Sequence, residues 1–147
     1  MAFRTVETGT RVRYAETDGQ RVAHHSVYLV WFELGRAAYL RAHGIDYNDL
    51  EDRGLYFVVV EARAKYLVAA RYDDPIVVRT TVEALQSRVM TVVYEVARGD
   101  EVLCEGMTRL AMLNREGRAV AIPDDVRDRL RGQEPPIRGD AILSPFA

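Results

Sequence analysis

The chain has almost no cysteine, almost no lysine and no excess of either charge. Of its 147 residues only Cys104 is a cysteine, which excludes an internal disulfide and a cysteine-rich zinc site. Lys and Arg together number 20 against 22 Asp and Glu, a formal net charge of −2. That balance builds in no pull toward nucleic acid or an anionic membrane surface. Lys65 is the only lysine, and no partner follows from the arginine bias. No run approaches the ~18 apolar residues of a membrane span, and the opening MAFRTVETGT has no apolar signal stretch. GxSxG, CxxC and a glycine-rich phosphate loop are all missing, so serine-hydrolase, thiol-redox and nucleotide-binding readings lack their residues. What is there is 48% hydrophobic residues in a length typical of one domain, enough for a core of its own. A soluble, cytoplasmic, single-domain protein is expected.

Along the chain, residues 11–14 alternate polar and apolar and predict a half-buried strand. Thr17-Asp18-Gly19-Gln20 carries turn chemistry. Residues 26–43 then predict a long helix, with Ser26 as N-cap and Gly44 just past its end. Only Glu33, Arg36 and Arg41 are charged within it, so the rest of the domain must enclose it. Gly35, Ala38 and Ala42 recur at spacings of three and four, a narrow flank for close approach of a sheet. After a polar segment at 46–54, strands are predicted over 55–71, 76–85, 89–97 and 102–113. Turns fall at 73–75, 86–88, 98–101 and 114–117. A short helix opens at Pro123 and runs to about Leu130, and an extended tail is expected over 132–147. Strands joined by tight turns pair antiparallel, and one preceding helix covers one face of the sheet. The fold class is therefore α+β: about five curled antiparallel strands round one long central helix. Val58, Val60, Val92 and Tyr94 fall on both sides of the strands, which points to self-association.

The densest group of reactive residue types runs from Tyr14 to Tyr28, between the first strand and the start of the apolar helix. The first N–H groups of a helix lack internal partners and carry the positive end of its dipole. They are ready donors to an oxyanion, and Asp18 lies just upstream. Opening an acyl bond needs a base or nucleophile beside a carbonyl and donors behind its oxygen. Plainer roles exist for each residue. Thr-Asp-Gly makes Asp18 a turn former, and Glu16 a solvated or ion-paired charge. Adjacent histidines diverge, and nothing beside His24 and His25 completes a ligand set, so no metal is expected. His43 reads as a partner of the helix C-terminal dipole and Cys104 as a small buried hydrophobe.

The stretch RVRYAETDGQRVAHHSVYLVWFELGRAAYL resembles the signature of hot-dog-fold thioesterases of the 4-hydroxybenzoyl-CoA thioesterase type. Tyr14, Glu16, Thr17, Asp18, Val22, His25 and Tyr28 stand at the matching positions, and the likeness continues through 54–59 and 72–75 to about Leu113. The resemblance implies a single hot-dog domain over 1–131 that hydrolyses a small aliphatic or aromatic acyl-CoA without metal or cofactor. Asp18 would attack the thioester carbonyl or activate water for it, and the backbone N–H of His25 would hold the oxyanion. Tyr28, Phe57 and Val59 are candidates to line the acyl pocket, and Ser87 and Arg88 to meet the CoA nucleotide. The site is expected at a subunit interface, in a homodimer or a homotetramer built as a dimer of dimers. Two alternatives are an acyl-thioester hydratase or dehydratase, which would recruit His25, and a non-catalytic acyl-CoA-binding module. The chain departs from the family pattern twice. Arg21 replaces a usual glycine, which predicts another loop path or a cation near the thioester. Val27 replaces a usual asparagine or serine, which makes the helix start more apolar.

Overall fold

The computed structural model describes residues 3–132. Its strands are β1 (Thr5–Arg11), β2 (Tyr56–Tyr66), β3 (Pro75–Leu85), β4 (Val89–Arg98) and β5 (Glu101–Leu113), and its helices are α1 (Val27–Ala42), α2 (Tyr47–Asp52) and α3 (Asp124–Arg131). The strands form one antiparallel sheet in the order β1-β3-β4-β5-β2. Period-two burial fixes which face turns inward. Ile76, Val78, Thr80 and Val82 on β3, and Met90, Val92, Tyr94 and Val96 on β4, are all buried. They share one core with Trp31, Phe32, Tyr39 and Leu40 of α1, which gives the expected hot-dog arrangement. None of the described helices is long and apolar enough to cross a membrane.

Two glycines let α1 sit that close. A Cβ on Gly35 would lie 2.7 Å from Val78 Cγ1 and collide with Thr80 Oγ1, so the helix rests on β3 through its missing side chain. The expected flank is real, though strand side chains rather than strand backbone meet it. Across the sheet a Cβ on Gly106 would collide with Cζ and Cε2 of the Phe32 ring. That ring stacks on Tyr94 at a centroid distance of 4.5 Å and 10°. Beside it the buried Arg36 donates from Nε to Tyr47 Oη and from Nη1 to Tyr94 Oη, each at 3.1 Å, and Tyr94 Oη lies 2.6 Å from Thr108 Oγ1.

The structure revises several expectations. The first strand is Thr5–Arg11, and Tyr14–Glu16 forms one 3-10 turn instead of a strand end. Val6 and Thr8 carry the buried alternation, whereas Tyr14 is 78% exposed and the buried Glu16 accepts the Arg13 N–H at 2.7 Å, closing the turn. The polar segment after α1 holds α2, capped by Asp46 accepting the Asn48 N–H at 2.6 Å and anchored by buried Leu50. Ser26 is itself helical in φ and ψ and makes no side-chain cap. Gly44 takes the left-handed φ of 74° expected past a helix end. Val92 and Tyr94 both point into the core, and the exposed apolar side chains include Val58, Val59 and Val60 on β2, Leu29 and Val30 on α1, and Tyr66, Leu67 and Val68 at and just past the end of β2. Of the tail expected over 132–147, residues 133–147 lie outside the described residues.

His43 also changes role. Burial lowers its pKa below the ordinary 6.5, opposed by its 2.7 Å hydrogen bond to the Tyr39 carbonyl. It serves the last turn of α1 as a neutral donor rather than as a cation.

Two outcomes test this packing. Gly106→Ala is expected to lose about 1–3 kcal/mol, read as a lower denaturant midpoint at unchanged m-value. An unchanged midpoint would contradict the seating of Phe32. As pH falls below about 6.5 the unfolded chain binds a proton that folded His43 resists, so its contribution to stability is present above that pH and lost below it. His43→Gln should lose less stability than the parent between about pH 7 and about pH 5.5. Parallel losses in the two proteins would refute a buried neutral His43.

Candidate active site

After β1 the chain folds back on itself before entering α1. Isolated bridges join Thr17 to Ala23 and Val22 to Arg71, so residues 17–23 form a closed loop tied to the segment after β2. Inside it the Asp18 N–H donates to the Val22 carbonyl at 2.9 Å and the Arg21 N–H to the Asp18 carbonyl at 3.1 Å. Asp18 Oδ1 accepts the Gln20 N–H at 2.7 Å and, at 3.4 Å, the Val22 N–H. Oδ2 accepts no hydrogen bond from the described residues. Asp18 is therefore a turn former through one oxygen and has the other available for chemistry.

The loop closes through Arg21 at φ 67°, in the left-handed region. This is the position where the resemblance calls for glycine, and the arginine keeps the glycine-like conformation. Its side chain is exposed, and it is not among the residues lining the cavity described below. Val27 is half-buried and packs against the core.

At the helix start the two peptides flanking His25 are both held. The His24 carbonyl accepts the Val27 N–H at 3.0 Å. The His25 carbonyl accepts Tyr66 Oη–H at 2.8 Å, and the Ser26 N–H donates to His24 Nδ1 at 3.2 Å. The His25 N–H has no acceptor among the described residues. It is a fixed, unspent donor at the positive end of α1. The His25 ring is exposed and lies against His24, with centroids 4.1 Å apart.

Asp18, His25 and Tyr28 meet around one cavity of about 270 Å³, completed by Val22, Ala23, Tyr66, Leu67, Val68 and Ala69. Its walls combine the Asp18 carboxylate, His25 and the two phenols with the apolar Val22, Ala23, Leu67, Val68 and Ala69. Tyr28 is buried, accepts the Ala70 N–H at 3.3 Å, and meets Tyr66 edge-on with centroids 5.1 Å apart. Burial raises the pKa of both phenols above the ordinary 10.0, so they remain neutral donors. Burial also pushes the Cys104 thiol up to about 11, which leaves it a packing residue with no thiolate to offer.

Sequence reasoning did not single out Tyr66, Leu67 or Val68. Their signal was an apolar Tyr-Leu-Val run at the end of an alternating strand, where polar turn residues belong. The other candidates lie elsewhere. Tyr66 pairs with Cys104 on β5, but Phe57 pairs with Met112, and the run from Phe57 to Tyr66 spans about 30 Å at ~3.3 Å per residue. Phe57 is half-buried against the core and Val59 is exposed. Ser87 and Arg88 are exposed in the β3–β4 connection, whose backbone is clamped at that same far end. The Arg88 carbonyl accepts the Met112 N–H at 2.9 Å, the Ser87 carbonyl the Ile122 N–H at 2.8 Å, and the Gln86 carbonyl Arg127 Nη1 at 2.6 Å. One copy of the chain does not bring these four residues to Asp18.

A family model described as the Thioesterase superfamily matches residues 20–105. An acyl-CoA thioesterase, YbgC, of Haemophilus influenzae is 31% identical over 119 residues, 80% of this chain and 88% of the relative. The crystal structure of the hypothetical protein TT1821 from Thermus thermophilus aligns at a TM-score of 0.82 with 39% identity, over 85% of this chain and 96% of that one. A DHNA-CoA thioesterase from Staphylococcus aureus aligns at a TM-score of 0.78 with 28% identity, over 80% of each chain.

The loop geometry has a direct test. Arg21→Gly removes a side chain from a left-handed position and should stabilise the fold by about 0.5–1 kcal/mol, whereas Arg21→Val should destabilise it. Denaturant midpoints in the opposite order would contradict the left-handed turn at residue 21.

Proposed function

The chain belongs to the Thioesterase superfamily, and from that footing we propose that it hydrolyses the thioester of a small aliphatic or aromatic acyl-CoA. One observation carries the reading: Asp18, with an unengaged Oδ2, and His25, with an unengaged backbone N–H, line the same apolar cavity. A thioester carbonyl with its oxygen on the His25 N–H exposes its carbon to Asp18. Direct attack by Oδ2 forms a mixed anhydride and releases the CoA thiolate, and water then hydrolyses the anhydride. Alternatively the carboxylate takes a proton from water as that water adds to the carbonyl, and the tetrahedral intermediate expels the thiolate. In both routes negative charge builds on the carbonyl oxygen, where a preoriented N–H at a helix start acts. Leu67 and Val68 offer apolar surface to the acyl group. The hydratase alternative would use the His25 imidazole, and that ring is exposed and lies tilted against His24, with no carboxylate partner among the described residues.

The assembly belongs to the same proposal. β2 lies at the sheet edge, and its Val58, Val59 and Val60 are 39%, 43% and 57% exposed. Leu29 and Val30 of α1 are exposed as well. Unpaired apolar edge strands invite another strand. A second copy running antiparallel along β2 would cover this surface and form a homodimer. It would carry Phe57 of the partner subunit and Val59 of the partner subunit toward the Tyr66 end, and Ser87 and Arg88 would serve the CoA of the opposite site. Two such dimers would meet through the sheet face turned away from α1, in the cytoplasmic setting expected from composition.

Release of CoA thiol from a panel of aliphatic and aromatic acyl-CoAs, with Asp18→Asn as control, tests the reading. Hydrolysis of at least one class is expected, with a loss of about 100-fold or more in the variant at unchanged fold and oligomeric state. Binding without turnover would favour the non-catalytic module. Equal rates in the two proteins would remove Asp18 from the chemistry.

A further inference from the structure

We propose that Tyr66 is a positioning residue for the oxyanion donor, its hydroxyl holding the His25 peptide and thereby aiming the His25 N–H into the cavity. The inference rests on the thioester-hydrolysis reading above and assigns a task to a side chain outside the loop that carries the reactive groups.

The His25 N–H lies in the peptide plane it shares with the His24 carbonyl, and the φ and ψ of His25 couple that plane to the next one. The plane between His24 and His25 is pinned by the Val27 N–H on the His24 carbonyl. The plane between His25 and Ser26 is pinned by the Tyr66 hydroxyl on the His25 carbonyl and by the Ser26 N–H on His24 Nδ1. All of these bonds are local to the helix start except one. Tyr66 reaches across 41 positions of sequence, from the last residue of β2 to the residue two before α1. Among the bonds on the His25 peptides it is the one that reaches a strand rather than the helix start itself.

Tyr66 is suited to that task. Its backbone sits in the ladder opposite Cys104 on β5, a fully buried strand position. Its ring is braced edge-on against Tyr28, whose own hydroxyl is fixed by the Ala70 N–H. Its raised pKa keeps the hydroxyl a donor across the working pH range. A donor displaced by a fraction of an ångström loses much of its effect on a developing oxyanion, while ground-state binding to apolar walls is little changed.

Tyr66→Phe keeps the ring and deletes the bond. The expected result is a kcat lower by about 10- to 100-fold with KM within about twofold of the parent. The thermal midpoint should stay close to that of the parent, and the 13C shift of the His25 carbonyl should move, reporting loss of the donor. A kcat equal to that of an active parent would overturn the assignment. So would a rise in KM at retained kcat, which would make Tyr66 only a wall of the cavity, and so would an unmoved His25 carbonyl shift. A parent inactive across the acyl-CoA panel, or one as active as its Asp18→Asn variant, would instead bring down the underlying reading and this inference with it.

Discussion

The close seating of α1 on the sheet is the constraint from which the rest follows. Gly35 lies against Val78 and Thr80, and Gly106 lies beneath Phe32. Neither position has room for a methyl group, so close contact limits translation and rotation of the helix, and hydrogen bonds such as Arg36 to Tyr94 add to that hold. Fixing the helix fixes its N-terminus relative to the end of β2. The His25 N–H, the Tyr28 ring and Tyr66 therefore meet in one place although they come from distant segments. A loosely packed helix would leave the same residues on the same elements with no common cavity.

On that frame, the loop before α1 divides its polar groups between structure and chemistry. Asp18 Oδ1 closes the turn and Oδ2 accepts nothing from the described residues; the His24 carbonyl and the Ser26 N–H are used internally and the His25 N–H is not. Such leftovers are uncommon in a folded chain, where polar groups near the interior are normally paired. Here they share a cavity in which a carbonyl group would satisfy one and meet the other. The left-handed Arg21 belongs to the same economy, since the turn that orients Asp18 needs that conformation whichever residue adopts it.

Much of this was legible in the sequence, and the failures have physical causes. β3 and most of β4 alternate in burial and β5 is bounded by turn residues on both sides, so their limits were readable to within a residue or so. α1 announced itself by a long apolar span with Gly44 behind it. β1 was misplaced because only Val6 and the polar Thr8 are buried in it, which gives little hydrophobic contrast along the strand. α2 escaped because Leu50 is its one fully buried residue and Tyr47 its only other core contact, too little for a periodic signal. At the site, Asp18, His25 and Tyr28 were readable because they are consecutive elements of one local segment. Tyr66 was not, because its approach to His25 depends on the pairing of β2 with β5, a register that no local pattern encodes. Phe57, Val59, Ser87 and Arg88 show the converse: their residue types suit a substrate, and strand length sets them at the other end of the sheet.

The central claim is that the His25 N–H receives the substrate carbonyl. It is tested most directly by titrating the 15N-labelled protein with an acyl-CoA analogue that keeps the carbonyl but replaces sulfur with methylene. The His25 amide proton should move downfield more than any other amide of the first turn of α1, in step with saturation of the cavity residues. Saturation of those residues with the His25 amide unmoved would contradict the account.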